Sequence, residues 1–181
     1  MAELFPSPAA DFDHPIEVLD HCHERILRSC RLIERIAARV QTHGPDTECR
    51  EAAHQVVRFF DTAGEAHHRD EDEDFFPALL QAVPAEELDA THALVGELRA
   101  DHARLESAWR EMRHWLRLLA AGGDTGPDPE LARALTALYE RHIAVEESQL
   151  LPLARRVLDP QAAERVGVRM ARRRGLKPTA R

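Results

Sequence analysis

On a helix, an imidazole and a carboxylate four residues apart share one face and can converge on a single cation. The chain presents that pair twice, as His67 with Glu71 in HHRDEDEDFFP (67–77) and as His142 with Glu146 in HIAVEESQLLP (142–152). In both stretches a proline follows ten residues after the histidine. The chemistry on offer is nitrogen and oxygen ligation of a metal ion without thiolate, which suits iron, with manganese or zinc as other occupants. The three cysteines, Cys22, Cys30 and Cys49, form neither a CxxC pair nor an even-numbered framework. They read as buried thiols in a reducing compartment.

Apolar residues that alternate at spacings of three and four show what must position these pairs. After Pro15 the first seam runs Ile16, Leu19, His23, Ile26, Cys30, Ile33, Ala37, Val40 and stops at Gly44-Pro45. A second begins near Asp46 and continues through Ala53, Val56, Phe60, Ala63, His67, Glu71 and Phe75 to Val83-Pro84. The third holds Leu88, Thr91, Val95, Leu98, His102, Leu105, Trp109, Met112, Leu116 and Leu119 until AAGGDTGPDP breaks it. The fourth starts near Pro129 with Leu131, Leu135, Leu138, His142 and Val145 beside Glu146, then Leu150, Leu153 and Val157, and ends at Pro160. Four such segments joined by short Gly/Pro loops predict an all-α, antiparallel up-and-down four-helix bundle. The expected organisation is an N-terminal extension over 1–13, the bundle over 14–158 and a basic tail over 159–181. Pro77 and Pro152, late in their helices, are expected to kink or locally widen them.

The same periodicity sorts the eleven histidines. His23, His67, His102 and His142 lie on the inward track, one per helix. His21, His68 and His92 are displaced from their seams, His14 and His43 fall at helix ends, and His54 and His114 lie on other faces, so these seven read as surface residues. A single inward histidine is ordinarily a hydrogen-bonded core residue, but four with two inward glutamates are a different matter. Buried unpaired carboxylates cost several kcal/mol each, roughly, and unpartnered imidazoles add to that. Two cations about 3.5–4 Å apart, bridged by Glu71 and Glu146 and capped by the four imidazoles, would satisfy every one of these groups. Tyr139, Trp109 and Phe60 read as core.

With these residues in place, the chain resembles the hemerythrin-like, or HHE cation-binding, family, whose arrangement is His, HxxxE, His, HxxxE on four successive helices. The matching stretches are CHERI around His23, HHRDEDEDFFP, DHARLE around His102, and HIAVEESQLLP. The resemblance implies a non-haem di-iron site with Glu71 and Glu146 as the bridging carboxylates. One departure matters: oxygen-carrying members place a second histidine four residues after the third-helix histidine, where this chain has Glu106. With one imidazole fewer, an iron either takes Glu106 as an oxygen ligand or keeps an open or water-filled position. Glu106 therefore joins the candidate ligand set, and reversible oxygen carriage is not expected.

The resemblance implies a binding protein that holds or senses dioxygen, nitric oxide or iron rather than an enzyme. The competing readings are a di-iron enzyme acting on peroxide or nitric oxide, and a structural metal-binding bundle. A formal charge of −8, with acids spread along the chain, argues against nucleic acid as a partner. No run of eighteen apolar residues and no basic leader occurs, so no membrane association is expected and the cytoplasm is the expected location. Oligomeric state is left open. The segment RMARRRGLKPTAR (169–181) is locally basic and is expected to be a solvated tail, and the acids around Glu71 a solvated face. Because metal binding and folding are coupled, His67→Ala or Glu71→Ala is expected to lose metal and helicity together while His21→Ala keeps both; metal analysis beside circular dichroism reads the difference.

Overall fold

The computed structural model describes residues 12–123, 126 and 128–176, and these are helical apart from short connections. The expected extension up to residue 11 and the end of the expected tail, 177–181, lie outside the described residues. Four long helices, α1 (Pro15–His43), α2 (47–82), α3 (Leu88–Ala120) and α4 (129–157), are followed by the shorter α5 (Pro160–Arg173). Local chemistry explains where they begin. Pro15, Pro129 and Pro160 occupy first-turn positions, where a missing N–H costs nothing. Asp46 accepts from the Cys49 amide at 2.8 Å, Asp128 from the Glu130 amide at 2.9 Å, and Asp159 from the Ala162 amide at 2.7 Å, each capping a helix. Gly44, at φ +78°, closes α1 in a conformation that other residues avoid.

α1 packs against α2 and α4, and α3 packs against the same two, so the four long helices enclose one interior. That interior is two apolar clusters with a polar layer between them. One contains Ile26, Cys30, Ile33, Val56, Phe60, Leu105, Met112, Leu116, Leu135 and Tyr139. The other contains Leu19, Phe75, Phe76, Leu79, Leu98, Leu150 and Leu151. Each long helix crosses from one to the other through its seam histidine, so the polar layer is walled on both sides by hydrocarbon.

The two helices that carry a histidine–glutamate pair are not regular. α2 contains π-helical turns at Phe60–Gly64 and Glu71–Phe75, and α4 contains one at Glu146–Leu150. The second and third open on the pair's glutamate and end two residues before Pro77 and Pro152. A proline has no N–H for the carbonyl four residues back, and a wide turn is one way to absorb that mismatch. This is the local widening expected of the prolines. Each wide turn also holds one extra residue, which rotates everything after it. In α4 the buried residues beyond the turn are therefore Leu151 and Ala154, while the expected seam residues Leu153 and Val157 are only half-buried.

Over its described residues the segment beyond α4 is docked and is not the solvated tail expected. α5 docks its Val166, Met170 and Ala171 into the interior against α1 and α2. Gly167 passes so close to residue 12 that a Cβ there would stand 1.8 Å from the Phe12 carbonyl oxygen. The docking also consumes acids expected to form a solvated face: Arg173 binds Asp70, and it reaches Glu73 and Asp74 at 2.7 Å each. Arg174 lies 2.6 Å from the second oxygen of Asp70, which is fully buried. Removing both guanidiniums leaves a buried carboxylate without compensation. The double substitution Arg173→Ala/Arg174→Ala is therefore expected to lower stability by about 3–5 kcal/mol, whereas Arg169→Ala, on the exposed rim, should cost no more than about 1 kcal/mol; denaturant midpoints of the two variants test this.

Candidate metal centre

Six of the seven candidate residues converge. His23 comes from α1, His67 and Glu71 from α2, His102 from α3, and His142 and Glu146 from α4, and all six are at most 6% exposed. They form two overlapping quartets. Ligand atoms of His23, His67, Glu71 and Glu146 lie within 4.8 Å of one another, and so do those of Glu71, His102, His142 and Glu146. The two glutamates belong to both. In the first quartet His23 Nε2 is 3.1 Å from Glu146 and His67 Nε2 is 3.7 Å from Glu71. In the second, His102 Nε2 is 3.3 Å from Glu71 and His142 Nε2 is 3.3 Å from Glu146.

These contacts lack hydrogen-bond geometry. Both oxygens of Glu71 and of Glu146, both ring nitrogens of His67 and of His142, and Nε2 of His23 and His102 are buried without a hydrogen-bond partner. Native interiors leave few polar atoms in that condition, and each costs free energy unless something else engages it. The electrostatics agree. Burial, reinforced by repulsion from Glu146, pushes Glu71 up to about 7. Against the upward push of burial, His142 and His23 hold Glu146 well below the usual carboxylate range. One of two neighbouring carboxylates is thus driven to keep its proton because nothing in the protein neutralises both. Burial, helped by His23, holds His67 far below its ordinary value, which favours the neutral ring with one nitrogen lone pair available to a metal. The donor set is what paired cations require: two shared carboxylates and two imidazoles at each end.

The residue after each glutamate does a second job. His102 Nδ1 donates to Asp72 Oδ2 at 3.0 Å, and Asp72 also accepts from Arg99 Nε at 3.3 Å. In the matching place, His23 Nδ1 lies 3.4 Å from Glu147 Oε1. His102 thus turns Nε2 inward while its Nδ1 is held by an outer carboxylate, which orients the ring and raises its basicity; His23 places Nδ1 beside Glu147 without hydrogen-bond geometry. Against the cost of burial, Asp72 and Glu71 push His102 up to about 10.

Glu106 is the candidate that the structure does not bring in. Its position, roughly 40° around the helix from His102, turns it outward: the side chain is 74% exposed and 3.3 Å from Arg110 Nη2. His21, His92, His14, His43, His54 and His114 are exposed, in line with the seam argument. His68 departs from it. Its ring stacks on His102 with centroids 4.3 Å apart, its Nε2 is buried, and it forms a third group with His102 and His142 whose ligand atoms also lie within 4.8 Å of one another. Burial, with His102 next, lowers His68 to about 3. The wide turns on either side of Glu65–Asp70 let both members of the doublet face inward, His67 toward His23 and His68 toward α3. A signal was present in the sequence, since the second copy carries apolar Ile143 where the first has His68, which marks that register as interior.

A cavity of about 610 Å³ opens between α2 and α3 onto this side of the cluster. Its walls include Phe60, Trp109 and Tyr139, its floor His68 and His102, and its rim Arg99, Arg110 and Glu106. His23 and His67 do not line it.

Comparison with known proteins agrees with this geometry. Residues 14–154 match the family model described as Hemerythrin HHE cation binding domain. The chain is also similar to an uncharacterized protein of Haemophilus influenzae (strain ATCC 51907 / DSM 11121 / KW20 / Rd), 30% identical over 177 residues that cover 98% of this chain and 99% of that protein. Asp72→Asn keeps the size of the side chain and removes the charge behind His102. It is expected to weaken metal binding about 10- to 100-fold with helicity unchanged, as isothermal titration beside circular dichroism would show.

Proposed function

This chain belongs to the hemerythrin HHE cation-binding family, and from that premise we propose that it is a non-haem di-iron protein that binds or senses dioxygen, nitric oxide or iron. The observation that carries the reading is the pair of quartets sharing Glu71 and Glu146. One carboxylate oxygen can serve each of two neighbouring cations, and two imidazoles complete each end. Mixed nitrogen and oxygen donors without thiolate favour iron over a zinc structural site, which ordinarily closes four ligands around each ion. The four long helices running alternately up and down, as their short connections favour, would bring the four histidines to one level.

When bound, a pair of irons supplies reversible one-electron steps to a small ligand. The chain's own part is positional. The apolar clusters on both sides keep the centre dry and strengthen every charge interaction there. Asp72 holds the His102 imidazole in one orientation, and Glu147 stands beside that of His23. The cavity over His68 and His102 gives a small molecule an approach from the α2–α3 side. That same opening favours, as second reading, an enzyme that consumes peroxide or nitric oxide, since 610 Å³ exceeds what a diatomic needs. The absence of a described helix long and apolar enough to cross a membrane fits an assignment to the cytoplasm, as do the three buried free cysteines.

The test is elemental and optical. Protein produced with iron is expected to hold two irons per chain and to show a ferric absorption that bleaches on reduction; a chain that takes up no stoichiometric transition metal under any loading condition defeats the proposal. Peroxide consumed over many turnovers would favour the enzyme reading, and a single stoichiometric spectral change the binding one.

A further inference from the structure

The two histidine–glutamate stretches share their inward histidine, its i+4 glutamate, an acid after that glutamate and the later proline, and they differ in chemical type beside the inward histidine. His67 corresponds to His142, Glu71 to Glu146, Asp72 to Glu147 and Pro77 to Pro152, but His68 corresponds to Ile143. Ile143 is 2% exposed and packs in the apolar core. The fold therefore accepts a hydrocarbon side chain at this register, and packing gives no reason for an imidazole. His68 nevertheless buries Nε2 without a hydrogen-bond partner, which is costly unless something engages it. Its ligand atom lies within 4.8 Å of those of His102 and His142, two members of the quartet on the cavity side. The first quartet, His23 with His67, has no third imidazole within that reach among the described residues; the further group at its end joins His23 to the carboxylates of Asp20 and Glu147.

We propose that His68 is a third nitrogen ligand for the cation held by His102 and His142, so that the two cation positions differ: three imidazoles beside the cavity, two imidazoles in the sealed position. The assignment rests on the two-cation reading above. It assigns to α2 the nitrogen that α3 does not supply, Glu106 being exposed and paired with Arg110. Ligation requires the His68 ring to turn out of its stack on His102, where the planes are 15° apart. The adjoining cavity leaves room for that rotation. One consequence is graded affinity, because the extra donor favours the cavity-side ion. Another is that a small exogenous ligand approaches the more highly ligated ion first.

The test titrates metal-free protein with cobalt(II), whose visible bands strengthen as coordination number falls. The wild-type chain is expected to take up two ions in two distinguishable steps. His68→Ile, which copies the residue of the other half, should weaken one step about 10- to 100-fold and strengthen the visible bands, leaving the other step and the far-ultraviolet dichroism unchanged. His68→Ala should behave alike, and millimolar imidazole, free to enter the cavity, should restore the wild-type spectrum. Two ions bound with affinities and bands unaltered in both variants would overturn the His68 assignment while leaving the paired-cation reading intact. A wild-type chain that takes up fewer than two ions would overturn that reading and this assignment with it.

Discussion

Two glutamates stand fully buried at the centre of the bundle, within a few ångströms of each other and between two hydrocarbon layers. In a medium of low dielectric, like charges at that distance cannot both persist unless positive charge lies between or beside them. The protein's own side chains meet this demand only in part, through the imidazoles of His102 beside Glu71 and of His23 beside Glu146. The four seam imidazoles touch the carboxylates at 3.1–3.7 Å without hydrogen-bond geometry, and no Lys or Arg forms an ion pair with either one among the described residues. The fold also leaves ring nitrogens of His67 and His142 and the carboxylate oxygens themselves buried without hydrogen-bond partners. This is a cost in the metal-free chain and a source of affinity when cations are present, which is why folding and metal binding should move together.

The rest of the architecture serves that constraint. The wide turns open on Glu71 and Glu146, so the glutamates lie where the helix changes register, and the residues on either side of each glutamate face different surroundings. On α2 this separates an acidic run into distinct tasks. Glu71 faces the centre, Asp72 orients His102, and Asp70, Glu73 and Asp74 engage Arg173 of α5. Five adjacent acids would repel one another on a regular solvated face. Here they are spread among a metal centre, an imidazole and a guanidinium pair. The last helix thereby closes the end of the bundle next to the residue that precedes a shared glutamate.

The repeated histidine–glutamate pairs give the centre an approximate two-fold character, and several departures from it lie on the cavity side. His68 replaces an isoleucine, the cavity opens there, and a third π turn, Phe60–Gly64, occurs in α2 without a counterpart in α4 among the described residues. A symmetric cage would treat both cations alike. On the proposed two-cation reading, the added imidazole and the access on the same face would give the two positions different chemistry.

Much of this was legible in the chain alone, because a period of 3.6 residues converts sequence spacing into direction. His23, His67, His102 and His142 stand at apolar-seam registers, and an i+4 glutamate must share the face of its histidine, so the cluster of six followed from spacing without any contact being known. The prolines marked where two helices widen. Other features depended on distances between helices that spacing cannot encode. Glu106 occupies the same i+4 relation to His102 as Glu71 does to His67, yet α3 turns it to solvent, since only the packing angle of a helix decides which edge of its inward stripe is covered. His68 was hidden for the converse reason: a π turn adds a residue and rotates the helix, so a histidine one step off the seam enters the site. The basic segment after Pro160 could have been free or docked, and the deciding factor is a buried Asp70 that requires compensation, a partner more than a hundred positions away from Arg173.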